Sequence, residues 1–198
     1  MKIILFLFLV LNLYAADKYS LRIAHGEASE NDLGQIISGD LGSHPRDLSV
    51  TALDGGYLLK ENLWNFPIDA YIKGAVSYFD EDQFDDTYEL VLYIKLYYNF
   101  DFLDNRVRFG FGEGGSYTHN ILETEYLEAQ AKEDHNSYFL NYLDISLDFD
   151  FGRLIRYKPL YGTYAGVLLK HRSGIYGLIN NVKNGGSNYN CLYIEKNF

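Results

Sequence analysis

The chain has 198 residues, of which 47% are hydrophobic and 17% aromatic, with 18 glycines, 3 prolines, one cysteine and a formal net charge of −10. This composition excludes a disordered chain, which would be poor in aromatic residues, and a disulfide-stabilised scaffold, which needs paired cysteines. The negative charge argues against a nucleic-acid partner, because it repels phosphate and no cluster of lysine and arginine offsets it. The length is that of a single domain.

The first fifteen residues have the features of a cleaved signal peptide. Lys2 is followed by twelve uncharged residues, 3–14, and then by the small residues Ala15 and Ala16. A transmembrane helix needs about 20 apolar residues, so this run is too short to span a bilayer. We therefore predict an exported protein, with a signal peptide at residues 1–15 and one domain at residues 16–198.

The rest of the chain alternates between apolar and polar residues with a period of two. In segment 143–151, leucine, isoleucine and phenylalanine at odd positions alternate with aspartate and serine at even positions. Such alternation is typical of a β-strand whose two faces meet different surroundings. It predicts eight strands, at about 19–28, 47–59, 67–80, 88–100, 105–118, 137–151, 163–173 and 188–198.

Alternation alone fits both a soluble sandwich and a membrane barrel, but the strand lengths favour the barrel. Most of the predicted strands have 10–15 residues, whereas strands of globular proteins have a mode of about 5–6 and membrane-spanning strands need about 9–11. Long polar connections at 29–46, 119–136 and 174–187 alternate with shorter ones, aromatic residues are frequent near strand ends, and the chain ends on Phe198. We therefore predict an all-β, eight-stranded, antiparallel up-and-down barrel in the bacterial outer membrane.

A barrel of this size has an interior filled by side chains and is not a pore. The charged side chains at inward positions of the predicted strands need partners, because an unpaired buried charge is costly. We expect a buried polar network of Asp144, Asp148, Asp150, Lys95, Arg106 and Arg108.

The most unusual segment is the seventh predicted strand. His171 and Ser173 share the parity of the lipid-facing residues Val167 and Leu169, and polar groups on such a face are costly and often functional. A histidine beside a serine can accept its proton and so activate it as a nucleophile. Asn188 has outward parity on the neighbouring last strand, where it could hold the histidine in orientation.

These residues also carry a family resemblance, over about the last thirty residues. Segment 168–175, Leu-Leu-Lys-His-Arg-Ser-Gly-Ile, and segment 184–189, Asn-Gly-Gly-Ser-Asn-Tyr, resemble the C-terminal region of the lipid A 3-O-deacylase (PagL) family. The resemblance implies an eight-stranded outer-membrane barrel that hydrolyses the ester-linked acyl chain at the 3-position of lipid A. It implies Ser173 as the nucleophile, His171 as the base and Asn188 in the place of the acid, with no metal or organic cofactor.

Two positions depart from the pattern of that family. Asn188 is an amide where the family has a glutamate, and Gly174 stands where the family has an asparagine that helps to bind the oxyanion. The backbone N–H of Gly174 could take over that task. Glu113, in the glycine-rich fifth strand, is an alternative acid that we rank below Asn188.

The implied partners are lipid A or lipopolysaccharide of the outer leaflet and the outer membrane itself; the sequence leaves a homodimer open. The histidines lack the spacing of metal ligands, and the acidic run 80–86 is predicted to be a solvated loop, since it lacks the glycine and terminal glutamate of a calcium loop. The alternative function is a non-enzymatic small outer-membrane barrel, either structural or displaying its loops for adhesion. In that case His171 and Ser173 need not approach each other.

Overall fold

The structure is a computed structural model that describes residues 18–198, so the signal peptide predicted at residues 1–15 lies outside the described residues. Eight antiparallel strands form one closed barrel in which each strand pairs with its neighbours in sequence. The strands are β1 Tyr19–Ser29, β2 Ser49–Lys60, β3 Ile68–Asp80, β4 Thr87–Phe102, β5 Asn105–Thr118, β6 Phe139–Asp150, β7 Thr163–Ser173 and β8 Gly186–Asn197. The pairing of β1 with β8 closes the barrel. The predicted fold class is confirmed, and each strand boundary lies within two residues of its prediction.

Short α-helices interrupt three of the connections and were not predicted. They are α1 Leu33–Ile37, α2 Glu123–Ala131 and α3 Phe151–Leu154. Local capping explains two of them: the side chains of Asp32 and Gln35 form a capping box at the start of α1, and Asp150 accepts a hydrogen bond from Arg153 N at the start of α3. None of the helices within residues 18–198 is long and apolar enough to cross a membrane.

The connections alternate between the two ends of the barrel. Segments 61–67, 103–104 and 151–162 lie at one end, and segments 30–48, 81–86, 119–138 and 174–185 lie at the other. Outer-membrane barrels have short periplasmic turns and long extracellular loops. We therefore name the first end the periplasmic rim and the second the extracellular rim.

The outer face of the barrel is apolar and the inner face is polar. On β4, Leu90 and Leu92 are more than 60% exposed on the outside, while the intervening Glu89, Val91 and Tyr93 are buried inside. A protein surrounded by water has the opposite arrangement, with polar side chains outside and apolar ones inside. An apolar outer face of this extent is stable when lipid surrounds the barrel. The alternation seen in the sequence is therefore the alternation between lipid and the interior.

A network of ion pairs fills the interior. It contains six cations and six carboxylates, each at most 2% exposed. Near the middle, Arg22 bridges Asp54 at 2.8 Å and Asp144 at 2.6 Å. The remaining members are Lys73, Lys95, Arg108, Lys170, Arg172, Glu89, Glu125, Asp148 and Glu195. Because the charges balance and each has a partner, the cost of burying them is offset.

Two residues of the predicted network have other partners. Arg106 lies at the periplasmic rim, where its side chain is 31% exposed and bonds Asp101 at 2.6 Å, so its prediction as an interior residue was wrong. The reason is its place one residue into β5, directly after the turn that joins β4 to β5. Asp150 is buried as predicted, but it accepts hydrogen bonds from the backbone N–H groups of Arg153 and Gly162 rather than from the central cations.

Glycines of β5 make room for the long side chains of β4. A Cβ atom at Gly110 would lie 2.6 Å from Lys95 Cε, and one at Gly112 would lie 2.9 Å from Tyr93 Cδ2. Both distances are shorter than van der Waals contact, so a side chain at either position would displace its neighbour. The glycine-rich segment thus serves packing of the interior.

We expect Arg108→Met to lower the free energy of unfolding by about 3–5 kcal/mol, because it leaves two buried carboxylates, Asp148 and Glu195, without this partner. The matched control is Arg106→Met, two residues earlier on the same strand, whose exposed ion pair contributes about 0–1 kcal/mol. Urea unfolding in detergent micelles, followed by intrinsic fluorescence, measures both. Equal losses for the two variants would contradict the assignment of the interior network.

Candidate active site

All five residues singled out in the sequence line one cleft at the extracellular rim. The cleft has a volume of about 540 Å³ and lies on the outside of the barrel, between the ends of β5 to β8 and the loops above them. Its walls include His171, Ser173, Gly174, Asn188 and Glu113. The site predicted from local sequence is therefore brought together in space.

The interior network determines which side chains of β7 face the cleft. Lys170 bonds Glu89 at 2.5 Å inside the barrel, and Arg172 bonds Glu125 at 2.7 Å. Successive side chains of a strand point to opposite faces, so His171 and Ser173 must point outward. Both are half-buried in the cleft wall.

Asn188 is the residue that contacts the histidine. Strands β7 and β8 pair with His171 directly opposite Asn188, and His171 Nδ1 lies 2.7 Å from Asn188 Oδ1. Directly opposed residues have Cβ atoms about 4.5–5.5 Å apart, which lets the two side chains meet. The Asn188 amide is thus within hydrogen-bond distance of one ring nitrogen of His171.

Ser173 lies one step further toward the extracellular rim on the same face. Among residues 18–198, no hydrogen bond joins its hydroxyl group to the His171 ring. Hydrogen bonds between catalytic groups are often long without substrate and shorten in the substrate complex. Ser173 and His171 are two positions apart on β7, so their side chains leave the strand on the same face.

Gly174 occupies a position that excludes any side chain. A Cβ atom there would lie 2.1 Å from the carbonyl oxygen of Val182 and 2.5 Å from its Cβ. The β7–β8 connection folds back tightly at this point, with Ile179 N donating to Gly174 O at 2.9 Å. A side chain at position 174 would therefore not fit, and the position offers only its backbone groups to the cleft.

Glu113 lies on the opposite wall of the cleft. In the same outward row, Glu113 pairs with Leu143 of β6, and Leu143 pairs with His171 of β7. A whole strand therefore separates the glutamate from the histidine, and its carboxylate faces the open cleft. Of the two residues considered for the third position, Asn188 is the one in contact with His171.

The segment that covers the far side of Asn188 was not predicted from the sequence. Residues 30–42 of the β1–β2 connection, which we call the flap, fold over the outer face of β8. Asn188 Nδ2 donates to the carbonyl oxygen of Asn31 at 3.0 Å, and Asn190 Nδ2 donates to that of Leu41 at 2.9 Å. The only local signal was a second asparagine, Asn190, in the lipid-facing row of the last strand.

A separate apolar groove of about 460 Å³ lies next to the cleft on the outer wall of the barrel, on the side toward the middle of the membrane. The flap forms one side of it through Ile36 and Leu41, and β7 and β8 form the other through Val167, Leu169 and Leu192. Leu169 is two residues before His171 on the same outward face, so the groove begins directly beneath the histidine. Its lining suits an alkyl chain.

No protein-family model and no curated protein matches this chain. Among solved structures, the crystal structure of the outer membrane enzyme PagL matches with a TM-score of 0.63 at 15% sequence identity, over 90% of this chain and 99% of that one. The crystal structure of neisserial surface protein A (NspA) matches with a TM-score of 0.49 at 12% identity, over 92% of this chain and 98% of that one. The likeness to PagL shows a shared fold. Together with the lipid-facing exterior, it defines a small outer-membrane β-barrel.

The acidic loop between β3 and β4 was predicted to be solvated, and for Glu81 this was wrong. Glu81 is 8% exposed because it packs under α2, where its Oε2 accepts a hydrogen bond from Glu123 N at 3.0 Å. Burial, with the nearby charges of Glu125, Asp86 and Asp80, raises the pKa of Glu81 to about 7. Within residues 18–198, no group of three or more histidine, cysteine, aspartate or glutamate side chains could hold a metal ion.

We expect Glu81→Gln to stabilise the loop at pH 8 and to change little near pH 4. The pKa of about 7 lies above the usual value near 4.3, so the stability contributed by the protonated carboxyl is full below about pH 4 and is lost as the pH rises through 7. A neutral amide at position 81 cannot ionise, so the loop of Glu81→Gln keeps its stability as the pH rises. Hydrogen exchange of the Asp82 and Gln83 amides between pH 5 and 8 measures the stability of the loop. The exposed Asp85→Asn is the control, and an unchanged pH dependence in Glu81→Gln would contradict the assignment.

Proposed function

We propose that this protein is an outer-membrane esterase that removes the ester-linked acyl chain from the 3-position of lipid A. The observation that carries the proposal is that Ser173, His171 and Asn188 all point outward at the extracellular rim and line a single cleft. Within it, His171 Nδ1 lies 2.7 Å from Asn188 Oδ1. These polar groups stand on the lipid-facing wall, where they have no structural task in the interior network.

The chemistry follows from the positions of these groups. Ser173 Oγ attacks the ester carbonyl carbon while His171 accepts the hydroxyl proton. The negative charge that develops on the carbonyl oxygen is stabilised by backbone N–H groups at Gly174. His171 then returns the proton to the leaving sugar oxygen, and a water molecule, activated by the same histidine, releases the acyl chain from Ser173 as a free fatty acid. Asn188 keeps the imidazole in place throughout.

Three further features support a lipid substrate with a charged head. The apolar groove that starts beneath His171 has the shape and lining for an acyl chain. Lys132 and Lys183 stand at the rim of the cleft, where phosphate groups on a sugar would lie. The motif around His171 and Ser173 resembles that of the lipid A 3-O-deacylases, and the solved structure with the shared fold is described as an outer membrane enzyme.

The test is incubation of the purified barrel with purified lipid A in detergent, followed by mass spectrometry of the lipid. We expect the wild type to release one 3-position acyl chain, and Ser173→Ala to lower the rate by at least about 10³-fold, because Ser173 is the one serine, threonine or cysteine in the cleft lining of residues 18–198. The control is Ser43→Ala, at an exposed serine outside the cleft, which keeps the wild-type rate. Unchanged release in Ser173→Ala would show that this assignment is wrong.

The second candidate function is a non-enzymatic barrel, either structural or displaying its loops for adhesion. The observation on its side is that the Ser173 hydroxyl and the His171 ring are not hydrogen-bonded within the described residues. In that case wild-type protein leaves the lipid A mass spectrum unchanged. Ser173→Ala and His171→Ala would then affect nothing but stability.

A further inference from the structure

We propose that the backbone carbonyl group of Asn31, on the flap, selects the active tautomer of His171 by fixing the orientation of the Asn188 amide. This inference deepens the proposed function and rests on it for its catalytic meaning. It makes the flap a positioning element of the site, and it explains how an amide can stand where the PagL family has an acid.

An asparagine in this position has two ways to face a histidine. One end of its amide is a hydrogen-bond acceptor and the other is a donor, and a half-turn exchanges them. If the NH₂ group faces Nδ1, then Nδ1 must be unprotonated and Nε2 carries the proton. That tautomer cannot accept a proton from a serine, which is why replacement of the aspartate by asparagine inactivates serine protease triads. The site needs a device that prevents the half-turn.

The Asn31 carbonyl oxygen is such a device. It lies 3.0 Å from Asn188 Nδ2, and because a carbonyl oxygen can only accept, the NH₂ group of Asn188 must face it. The amide oxygen of Asn188 then faces His171 Nδ1, at 2.7 Å, and Nδ1 must be the protonated nitrogen. Nε2 is then the unprotonated nitrogen, the form of the ring that can accept the proton of Ser173. If the Asn188 amide turned over, its oxygen would face the Asn31 carbonyl oxygen, and its NH₂ group would face the protonated Nδ1 of His171. Neither pair could form a hydrogen bond.

Hydrogen bonds within the flap hold this carbonyl group in place. The hydroxyl group of Ser29 accepts from Asn31 N at 3.1 Å and donates to Leu41 O at 2.6 Å. The side chain of Asn31 donates to Asp40 O at 3.0 Å, and Asn190 binds Leu41 O from β8. The two ends of the flap are thus tied to each other and to the strand that carries Asn188.

The same geometry disfavours an ionised acid at position 188. A carboxylate there would place its second oxygen against the Asn31 carbonyl, so that two acceptors would meet at about hydrogen-bond distance without a proton between them. The amide is therefore the side chain that satisfies both neighbours. A carboxylate, however, has two equivalent oxygens, so rotating an aspartate side chain at position 188 by a half-turn still presents an oxygen to His171. An asparagine at position 188 therefore depends on the Asn31 carbonyl for its orientation, whereas an aspartate does not, and the experiment uses this difference.

The experiment is a double-mutant cycle with lipid A as substrate. Asn31→Ala removes the hydrogen bond from the Asn31 side chain to Asp40 O, so the backbone carbonyl of residue 31 is no longer held against Asn188. When Asn188 is present, we expect kcat to fall by about tenfold or more, which corresponds to the free energy of about one hydrogen bond. In the Asn188→Asp background, Asn31→Ala should change kcat by less than about twofold. Ser38→Ala, at an exposed flap residue whose hydroxyl bonds only Gln35 O, is the control and should change neither. Equal losses in both backgrounds would overturn the inference.

A measurement independent of activity separates this inference from the proposed function. In ¹⁵N-histidine-labelled protein at a pH where His171 is neutral, the nitrogen shifts should show the proton on Nδ1 in the wild type and in Ser38→Ala. In Asn31→Ala a large share should move to Nε2. If the tautomer moves but the wild type does not cleave lipid A, the inference stands and the proposed function fails. An Nε2-protonated wild type, or an unchanged tautomer in Asn31→Ala, would sink the inference.

Discussion

Six cations and six carboxylates are buried together inside the eight-stranded barrel, and their pairing determines which face of each strand points inward. Charges of this kind cannot face lipid, and in the interior each needs a partner. Slipping a strand by one residue would exchange its two faces, which for β7 would move Lys170 and Arg172 away from Glu89 and Glu125 and into lipid. The ion pairs therefore determine the outward position of His171, although they never touch it.

A filled and charge-balanced interior also determines where chemistry can take place. Within residues 18–198 the central space holds paired charged side chains. The cleft lies on the outer wall at the extracellular rim, and the apolar groove lies beside it on the lipid-facing surface. Under the proposed function, a lipid of the outer leaflet would reach this cleft by lateral diffusion, with its head at the rim and its chains beside the strands.

The two departures from the PagL motif have local structural causes. Gly174 is a glycine because the β7–β8 connection folds back onto it and the Val182 carbonyl takes the space of a Cβ atom. Asn188 is an amide beside a carbonyl group of the flap, which a carboxylate could not bind. Each of the two residues is thus matched to a segment that packs on β7 or β8.

The eight strands, their faces and the row that contains His171, Ser173 and Asn188 could be predicted from the sequence, because alternation with a period of two is a local property of the chain. The roles of these three residues stay predictions. That Arg106 lies at the rim, that Glu81 is buried and that the flap covers Asn188 became evident from the folded barrel alone. These features depend on contacts between distant parts of the chain, such as Asn31 and Asn188, which are 157 positions apart. No periodicity records such contacts, since they arise only when the barrel closes and its loops fold onto the wall.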